Sequence, residues 1–182
     1  EAQTRYEQTK AFRHDIKNHL SVLDGLLDKG QIEESRSYLD KLKAASASLS
    51  FPCQTGNPVV DILLGEKMGI AQAGGIHVEA SVILPRACGI DDFDLCIVFA
   101  NALDNAINAC QSFEGERSIC ISGQRQGDFY MLEFRNSCPA GASAKIGTGL
   151  SNIKAVAEKY QGAMLLEKDG SSFCLNVLLN IS

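Results

Sequence analysis

The sequence predicts an α+β protein in two parts: a helical hairpin, then a two-layer sandwich of helices on a mixed sheet. Apolar residues recur at helical spacing through about the first fifty residues, whereas helical patterns and short strands follow one another beyond them. Proline and glycine interrupt both patterns over 48–58. We therefore expect a hairpin domain at 1–50, a linker at 51–57 and a second domain at 58–182.

The composition is that of a soluble globular protein, with 45% hydrophobic residues, 21% charged residues and a net charge of −5. This balance argues against a surface whose main task is direct binding of nucleic acid. No run of 18 apolar residues is present, so we expect no membrane span within this sequence. The chain opens on Glu1 and not on methionine, which suggests a fragment.

The seven cysteines are odd in number and form no C-x-x-C pair. Most lie within apolar runs, where cysteine behaves as a small hydrophobic residue. We expect reduced thiols in a cytosolic compartment, and neither a zinc site nor a catalytic thiol.

The hairpin has an apolar stripe on its first helix, which spans residues 1 to about 28 and ends at Lys29-Gly30. The second helix follows with its own stripe, from Ile32 to Ala45. A hairpin of about fifty residues buries little surface alone. We expect a second copy to cover both stripes in a dimeric four-helix bundle. The stripe of the first helix consists of Phe12, Ile16, Leu20, Leu23 and Leu27.

His14 lies two positions from both Phe12 and Ile16. At about 100° per residue, this spacing puts it roughly 200° around the helix from either, on the polar face. Asp15 is its neighbour, and Asn18 follows one turn later on the same side. An exposed imidazole with a carboxylate and a carboxamide nearby is a candidate nucleophile with its helpers. A solvated polar face that contains a histidine accounts for the same pattern, so both readings stay open here.

The second domain is predicted as three helices and five strands. A short hairpin turn at Gly127-Asp128 and another at Asp169-Gly170 join two of the strand pairs. The predicted helices are 58–73, 91–110 and 149–160, and the predicted strands are 76–84, 117–123, 129–136, 163–168 and 172–180.

Three asparagines share one face of the long helix, because Asn101, Asn105 and Asn108 recur at helical spacing. Leu103 and Ile107 face the core side. Asparagine is a poor helix former, so a stripe of three is unusual. A water-facing polar stripe is one explanation. The other is a set of carboxamide oxygens that holds hydrated Mg²⁺ against phosphates.

Two glycines flank Thr148 directly ahead of the next helix. The turn formed by Gly147, Thr148 and Gly149 would let backbone N–H groups and a helix N-terminus approach phosphate oxygens. A simple tight turn explains the same residues. The pattern is not a Walker loop, since no G-K-[ST] follows, and it lacks the third glycine of a dinucleotide-binding fingerprint.

The order of these motifs resembles that of the sensor histidine kinases, in which dimerisation and phosphotransfer helices precede a GHKL-type ATP-binding domain. Residues 12–20 resemble the phosphoacceptor box, 101–109 the N box and 147–150 the second glycine box. The resemblance covers nearly the whole chain. More narrowly, the first box and residues 55–61 resemble the subgroup that includes the quorum-sensing peptide receptors of Gram-positive bacteria.

This resemblance implies ATP and Mg²⁺ as cofactors, with Asn105 as the magnesium ligand. Asn101 occupies the position at which ATP-hydrolysing relatives carry a catalytic glutamate. One departure concerns the adenine contact, because the usual Asp-x-Gly-x-Gly aspartate is missing and Asn136 is the candidate in its place. The further nucleotide-binding residues that the resemblance implies are Asp104, Gly147, Thr148, Gly149 and Leu150.

The resemblance further implies that His14 attacks the γ-phosphorus of ATP, while Asp15 orients the imidazole and accepts its other proton. Asn18 resembles the residue that positions water for a phosphatase reaction. The expected partners are a second copy, through the hairpin, and the receiver domain of a response regulator. The chain would be the cytoplasmic portion of a bacterial inner- or plasma-membrane receptor, with its membrane sensor region upstream.

Two other functions compete with the kinase. A phosphotransfer or scaffold protein with a degenerate domain that binds no nucleotide would explain the missing adenine aspartate. An ATPase that transfers phosphate to water is opposed by asparagine at position 101. The intact Asn105 and glycine turn favour the kinase over the scaffold.

Overall fold

The computed structural model describes residues 17–44, 53–85, 89–141 and 146–182. The chain divides into two compact units, Glu1–Ser48 and Leu49–Ser182. Within the described ranges, no helix combines the length and apolar character needed to cross a bilayer.

The first unit is a helical hairpin in the residues that are described. Helix α1 covers 17–28 and helix α2 covers Ile32–Ala44. Gly30 reverses the chain with a φ of +67°, a backbone angle that glycine adopts without a Cβ clash. The two helices are joined by a hydrogen bond of 2.8 Å between His19 Nδ1 and the Tyr38 hydroxyl. His19 thus links α1 to α2.

The apolar stripe of the hairpin remains largely exposed within one chain. Leu20 and Leu27 on α1 are 60% and 54% exposed, and Ile32 and Leu39 on α2 are exposed as well. A single hairpin therefore does not bury the stripe that the sequence pattern predicts as its core.

The second unit contains three helices and five strands within its described residues, and this confirms the predicted α+β class. The strand order in the sheet is β1-β2-β3-β5-β4. Strand β1 runs parallel to β2, and the remaining three neighbouring pairs are antiparallel. The sheet is therefore mixed, as predicted. The elements are α3 (Pro58–Ala73), β1 (His77–Ser81), α4 (Asp92–Gln111), β2 (Ser118–Gln126), β3 (Phe129–Ser137), α5 (Thr148–Lys159), β4 (Ala163–Asp169) and β5 (Ser172–Asn180).

Strand β1 is shorter than the predicted strand 76–84, because it ends at Ser81. Beyond that residue the chain leaves β2, and the Leu84 N–H donates to the Thr55 carbonyl at 2.8 Å. Val82 and Leu84 are buried, so the alternating pattern does reflect alternate burial outside a strand.

The core lies between one face of the sheet and the three helices. Helix α4 is central, since it packs against α3, α5 and strand β3. Phe99 of α4 meets Phe134 of β3 edge to face, with ring centroids 5.5 Å apart. Alternate residues of β3 point towards the helices and are buried, namely Tyr130, Leu132, Phe134 and Asn136.

Candidate functional site

Helix α4 presents the predicted carboxamide stripe away from the core. Its N-terminus is capped by Asp91, whose side chain accepts a hydrogen bond of 2.8 Å from the Phe93 N–H. Leu103 and Ile107 are buried on the core side, as predicted. Asn101 and Asn105 are half-buried and Asn108 is exposed, so the stripe runs along the border of the helix layer.

Asn101 lies directly against the glycine turn. Its amide nitrogen donates to the Ile97 carbonyl at 2.8 Å, which turns the side-chain oxygen towards α5. A Cβ added at Gly149 would lie 3.0 Å from that oxygen, closer than nine in ten real Cβ contacts. The structure thus brings together two motifs that are 48 residues apart in the sequence.

The glycine turn ends at the N-terminus of α5, where Gly147 is the capping residue and supplies no side-chain bond. The first intrahelical bond runs from the Ser151 N–H to the Gly147 carbonyl at 3.0 Å. The N–H groups of the first helical turn precede that bond and lack intrahelical acceptors. Together with the positive end of the helix dipole, these N–H groups suit an anion such as a phosphate. Thr148 is exposed here and Leu150 is buried against the core.

Asn136 lies at the other end of the stripe, near the end of β3. Its side chain is only 3% exposed, and its amide nitrogen donates to the Ser137 carbonyl at 2.9 Å. Cys110, in the last turn of α4, donates through its thiol to the same carbonyl at 3.4 Å. Cys110 lies nine positions after Asn101 on α4, about 13.5 Å along the helix axis. Asn136 and the glycine turn therefore flank the carboxamide stripe from opposite ends.

Asp104 borders the stripe and is paired with a lysine of the neighbouring helix. Its carboxylate lies 2.5 Å from the Lys67 ammonium of α3. The Lys67 side chain is 25% exposed and that of Asp104 is 54% exposed. Lys67 has no place in the sequence motifs, and nothing in the local pattern of α3 distinguishes it.

The buried carboxylate of Asp94 fastens α4 to α5. Asp94, in the first turn of α4, accepts hydrogen bonds of 2.6 Å from the Lys159 ammonium and 2.6 Å from the Tyr160 hydroxyl. The Lys159 bond is the largest cause, and the Tyr160 bond the second, that hold the pKa of Asp94 below its usual range. Burial and the same bond raise the pKa of Tyr160. The Tyr160 hydroxyl also accepts from the Asp91 N–H at 3.0 Å, and these bonds fasten the end of α5 to the start of α4.

Residues 55–61 build the start of α3. The Thr55 N–H and hydroxyl both donate to one Asp61 oxygen at 2.6 Å. Asn57 caps the helix through bonds of 3.0 and 3.1 Å from the Val59 and Val60 N–H groups. Its amide nitrogen donates to Asp92 at 2.7 Å, which links the starts of α3 and α4. The motif therefore has a structural use in the second unit.

Only part of the predicted phosphoacceptor motif lies within the described residues. His14 and Asp15 lie outside the described residues, whereas Asn18 is exposed on α1. The site around the carboxamide stripe is therefore described without these three residues.

The side chains around the stripe fit magnesium chemistry of one kind. Among the described residues, no group of three or more His, Cys, Asp or Glu side chains gathers as metal ligands would. The stripe instead offers carboxamide oxygens, which are hard donors. Mg²⁺ usually keeps several waters and takes few protein ligands beside substrate phosphates. The donor set therefore fits a hydrated magnesium ion bound together with phosphates.

One known family matches the part of the chain that contains both this fold and these site residues. Residues 90–180, half of the chain, match the family model of the GHKL domain. The chain belongs to the GHKL domain family, which implies that it binds ATP. The matched residues include the carboxamide stripe, Asn136 and the glycine turn.

The chain is also similar to a curated sensor protein. CitS of Halalkalibacterium halodurans is 26% identical over 193 residues, which cover 92% of this chain and 36% of that protein. This chain thus spans about a third of the length of that relative.

Solved histidine kinases share the fold. The Acinetobacter baumannii histidine kinase AdeS superposes with a TM-score of 0.56 at 16% identity, covering 93% of this chain and 98% of that one. A histidine kinase from Burkholderia phymatum gives 0.56 at 16%, covering 88% and 85%. The catalytic domain of histidine kinase ThkA gives 0.57 at 14%, covering 70% and 95%. The second unit therefore has the GHKL fold of histidine kinase catalytic domains.

Proposed function

We propose that the chain is the kinase region of a sensor histidine kinase, which transfers the γ-phosphoryl group of ATP to His14. The observation that carries the proposal is the contact of Gly149 with Asn101, because it joins the phosphate-binding turn to the carboxamide stripe. A GHKL domain with both motifs in contact is equipped to hold a nucleoside triphosphate. The similarity to a sensor protein adds support for the sensor part of this proposal.

The nucleotide would lie along α4. Gly147, Thr148 and Gly149 would hold the phosphates at the start of α5, where N–H groups without intrahelical acceptors point outwards. Asn136 would meet the adenine at the other end, since its side chain lies beside the last turn of α4. Leu150 is buried below the turn and would support its backbone.

Asn105 would hold the magnesium ion, and Asp104 borders that position. The ion would neutralise charge on the phosphates and so favour attack on the γ-phosphorus. Asn101 supplies a neutral carboxamide where a hydrolytic enzyme would need a base. Transfer to a side chain is favoured over transfer to water for that reason.

In the proposed reaction, a ring nitrogen of His14 forms a bond to the γ-phosphorus while the bond to the bridging oxygen of ADP breaks. Asp15 orients the imidazole and accepts its other proton. The phosphoryl group would then pass to an aspartate in the receiver domain of a response regulator. Asn18 would position water for the reverse, phosphatase reaction.

The hairpin would serve as the dimerisation surface, because its apolar stripe is exposed within one chain. A four-helix bundle of two copies would bury that stripe and leave the polar face of α1 open to nucleotide and regulator. The boundaries of hairpin, linker and ATP-binding domain would be those predicted, 1–50, 51–57 and 58–182. A membrane sensor region, of the quorum-sensing peptide-receptor subgroup, would precede this cytoplasmic portion.

The alternative is a phosphotransfer or scaffold protein whose GHKL domain no longer binds nucleotide. The absence of the usual adenine aspartate favours it, since Asn136 stands at that place. A thermal-shift assay separates the two functions, because only a kinase is stabilised by Mg·ATP.

The proposal is tested by incubation with labelled ATP and Mg²⁺, followed by mass spectrometry for phosphohistidine. We expect the His14→Gln variant to lose labelling while it binds Mg·ATP as the unchanged chain does. His19→Gln is the matched control, because His19 bonds to Tyr38 within the hairpin and should retain labelling. Labelling that persists in His14→Gln rejects His14 as the acceptor.

A further inference from the structure

The ion pair between Lys67 and Asp104 lies at the edge of the proposed nucleotide site. Asp104 is one helical turn from both Asn101 and Asn108, and it directly precedes Asn105. Its carboxylate is therefore the negative charge that α4 itself places beside the stripe. Lys67 reaches it from α3, with 2.5 Å between the charged atoms.

A carboxylate at this position has an unfavourable effect on an enzyme that binds Mg·ATP. It repels the phosphates, which carry several negative charges. The repulsion weakens when an ammonium group is fixed against the carboxylate. The half-buried Lys67 side chain has less freedom than a fully exposed one, which favours such a fixed pair.

We propose that Lys67 is a positioning residue of the nucleotide site, which acts by neutralising Asp104 and holding its carboxylate away from the bound Mg·ATP. This inference rests on the proposed function. It assigns Asp104 the part of a paired charge at the border of the site, whereas the sequence motif alone suggests a residue that binds the cofactor. Lys67 itself need not contact the nucleotide.

The test compares three variants of the full chain by calorimetric titration with Mg·ATP. Lys67→Met keeps the length of the side chain but leaves Asp104 unpaired, and we expect binding about tenfold weaker from the added charge repulsion. Asp104→Asn should bind at least as tightly as the unchanged chain. The double variant should recover the affinity of the unchanged chain, because no unpaired carboxylate remains. Lys67→Arg should also retain affinity.

Two controls separate this effect from a loss of structure. Lys154→Met removes an ammonium from the Lys154–Glu158 pair on α5, where the atoms are 3.9 Å apart, and should leave affinity unchanged. Raising the salt concentration should reduce the defect of Lys67→Met, since exposed charges are screened. A pair that only fastens α3 to α4 would show no rescue by Asp104→Asn, because removing either partner breaks the pair.

Unchanged affinity in Lys67→Met overturns the inference while the proposed function stands. Equal losses in both single variants, without rescue in the double variant, overturn it as well. Absence of Mg·ATP binding by the unchanged chain overturns the proposed function and this inference together. Restored binding in the double variant supports both.

Discussion

Gly149 lies so close to Asn101 that a Cβ at position 149 would stand 3.0 Å from the Asn101 side-chain oxygen. The absence of a side chain at this position lets the start of α5 approach α4. The contact sets the gap between the glycine turn and the carboxamide stripe.

Gly149→Ala should therefore weaken Mg·ATP binding and slow phosphorylation of His14. The added methyl group must displace either the Asn101 side chain or the first turn of α5. Overpacking typically costs about 1–3 kcal/mol of stability, and we expect a loss of similar size in binding free energy, because the displaced groups form the proposed site. Calorimetry with Mg·ATP and a phosphorylation assay measure the two effects.

Gly141→Ala is the matched control, because a Cβ there meets nothing within 4 Å. Equal affinity of Gly149→Ala and the unchanged chain would show that the close approach is irrelevant to nucleotide binding.

Asn136 offers a test of base recognition. The Asn136 amide nitrogen donates to the Ser137 carbonyl, which leaves the side-chain oxygen to accept from the adenine amino group. Guanine carries a carbonyl oxygen at that position, so replacing Asn136 should narrow the preference for ATP over GTP. We expect Asn136→Ser to bring the two affinities within about threefold of each other, since one or two hydrogen bonds are lost. Fluorescence competition with the two nucleotides measures the ratio. An unchanged ratio would remove Asn136 from the adenine contact.

The sequence predicts those elements best whose ends carry local signals. Helix α3 begins and ends where expected, because Asn57 caps it and Gly74 follows it. The predicted strand 76–84 continues beyond the observed end at Ser81, since alternate burial continues at Val82 and Leu84 through contacts outside the sheet. A period-two pattern reports alternate burial and does not reveal which backbone supplies the hydrogen bonds.

The site, too, was predictable only where the signals are local. Periodicity places Asn101 on a polar stripe and glycine spacing predicts a turn at Gly149, but neither pattern predicts that the two residues lie in contact. The bonds from Lys159 and Tyr160 to Asp94 cross 65 and 66 residues of sequence, and no periodic signal connects them. Asp94 fastens α4 to α5 through these two bonds.

Asp94→Asn should destabilise the second unit and leave a smaller dependence of stability on pH. The amide loses the charge that Lys159 and Tyr160 bind, and we expect a cost of about 1–2 kcal/mol at pH 7. The pKa of Asp94 is lowered in the folded state, so its contribution is complete above its ordinary pKa of about 4. The contribution is lost as the pH falls through the lowered value, because the carboxyl is then protonated in both states.

Urea unfolding at pH 7 and at a series of pH values below 4 measures this difference. The gap between the unchanged chain and Asp94→Asn should shrink as the pH falls. Glu158→Gln, which removes the exposed partner of Lys154, should cost under about 0.5 kcal/mol. A gap that stays constant with pH would mean that the charge of Asp94 contributes nothing to stability.

The exposed stripe of α1 gives a test of the proposed dimer. Leu20 and Leu27 are 60% and 54% exposed in one chain. Most of the apolar surface that dimerisation would bury on α1 would therefore come from these two side chains. A charge placed at either position would be buried without a partner in a four-helix bundle. The double variant Leu20→Glu, Leu27→Glu should therefore be a monomer at concentrations at which the unchanged chain is a dimer.

Size-exclusion chromatography with light scattering determines the two masses. Val22→Glu is the control, because Val22 is also exposed on α1 but lies about 200° around the helix from Leu20. It should remain dimeric. Phosphorylation by the monomeric variant would further distinguish transfer within one chain from transfer between chains, since a monomer retains only the first route. A dimer that survives both glutamates would place the contact between copies elsewhere than on this stripe.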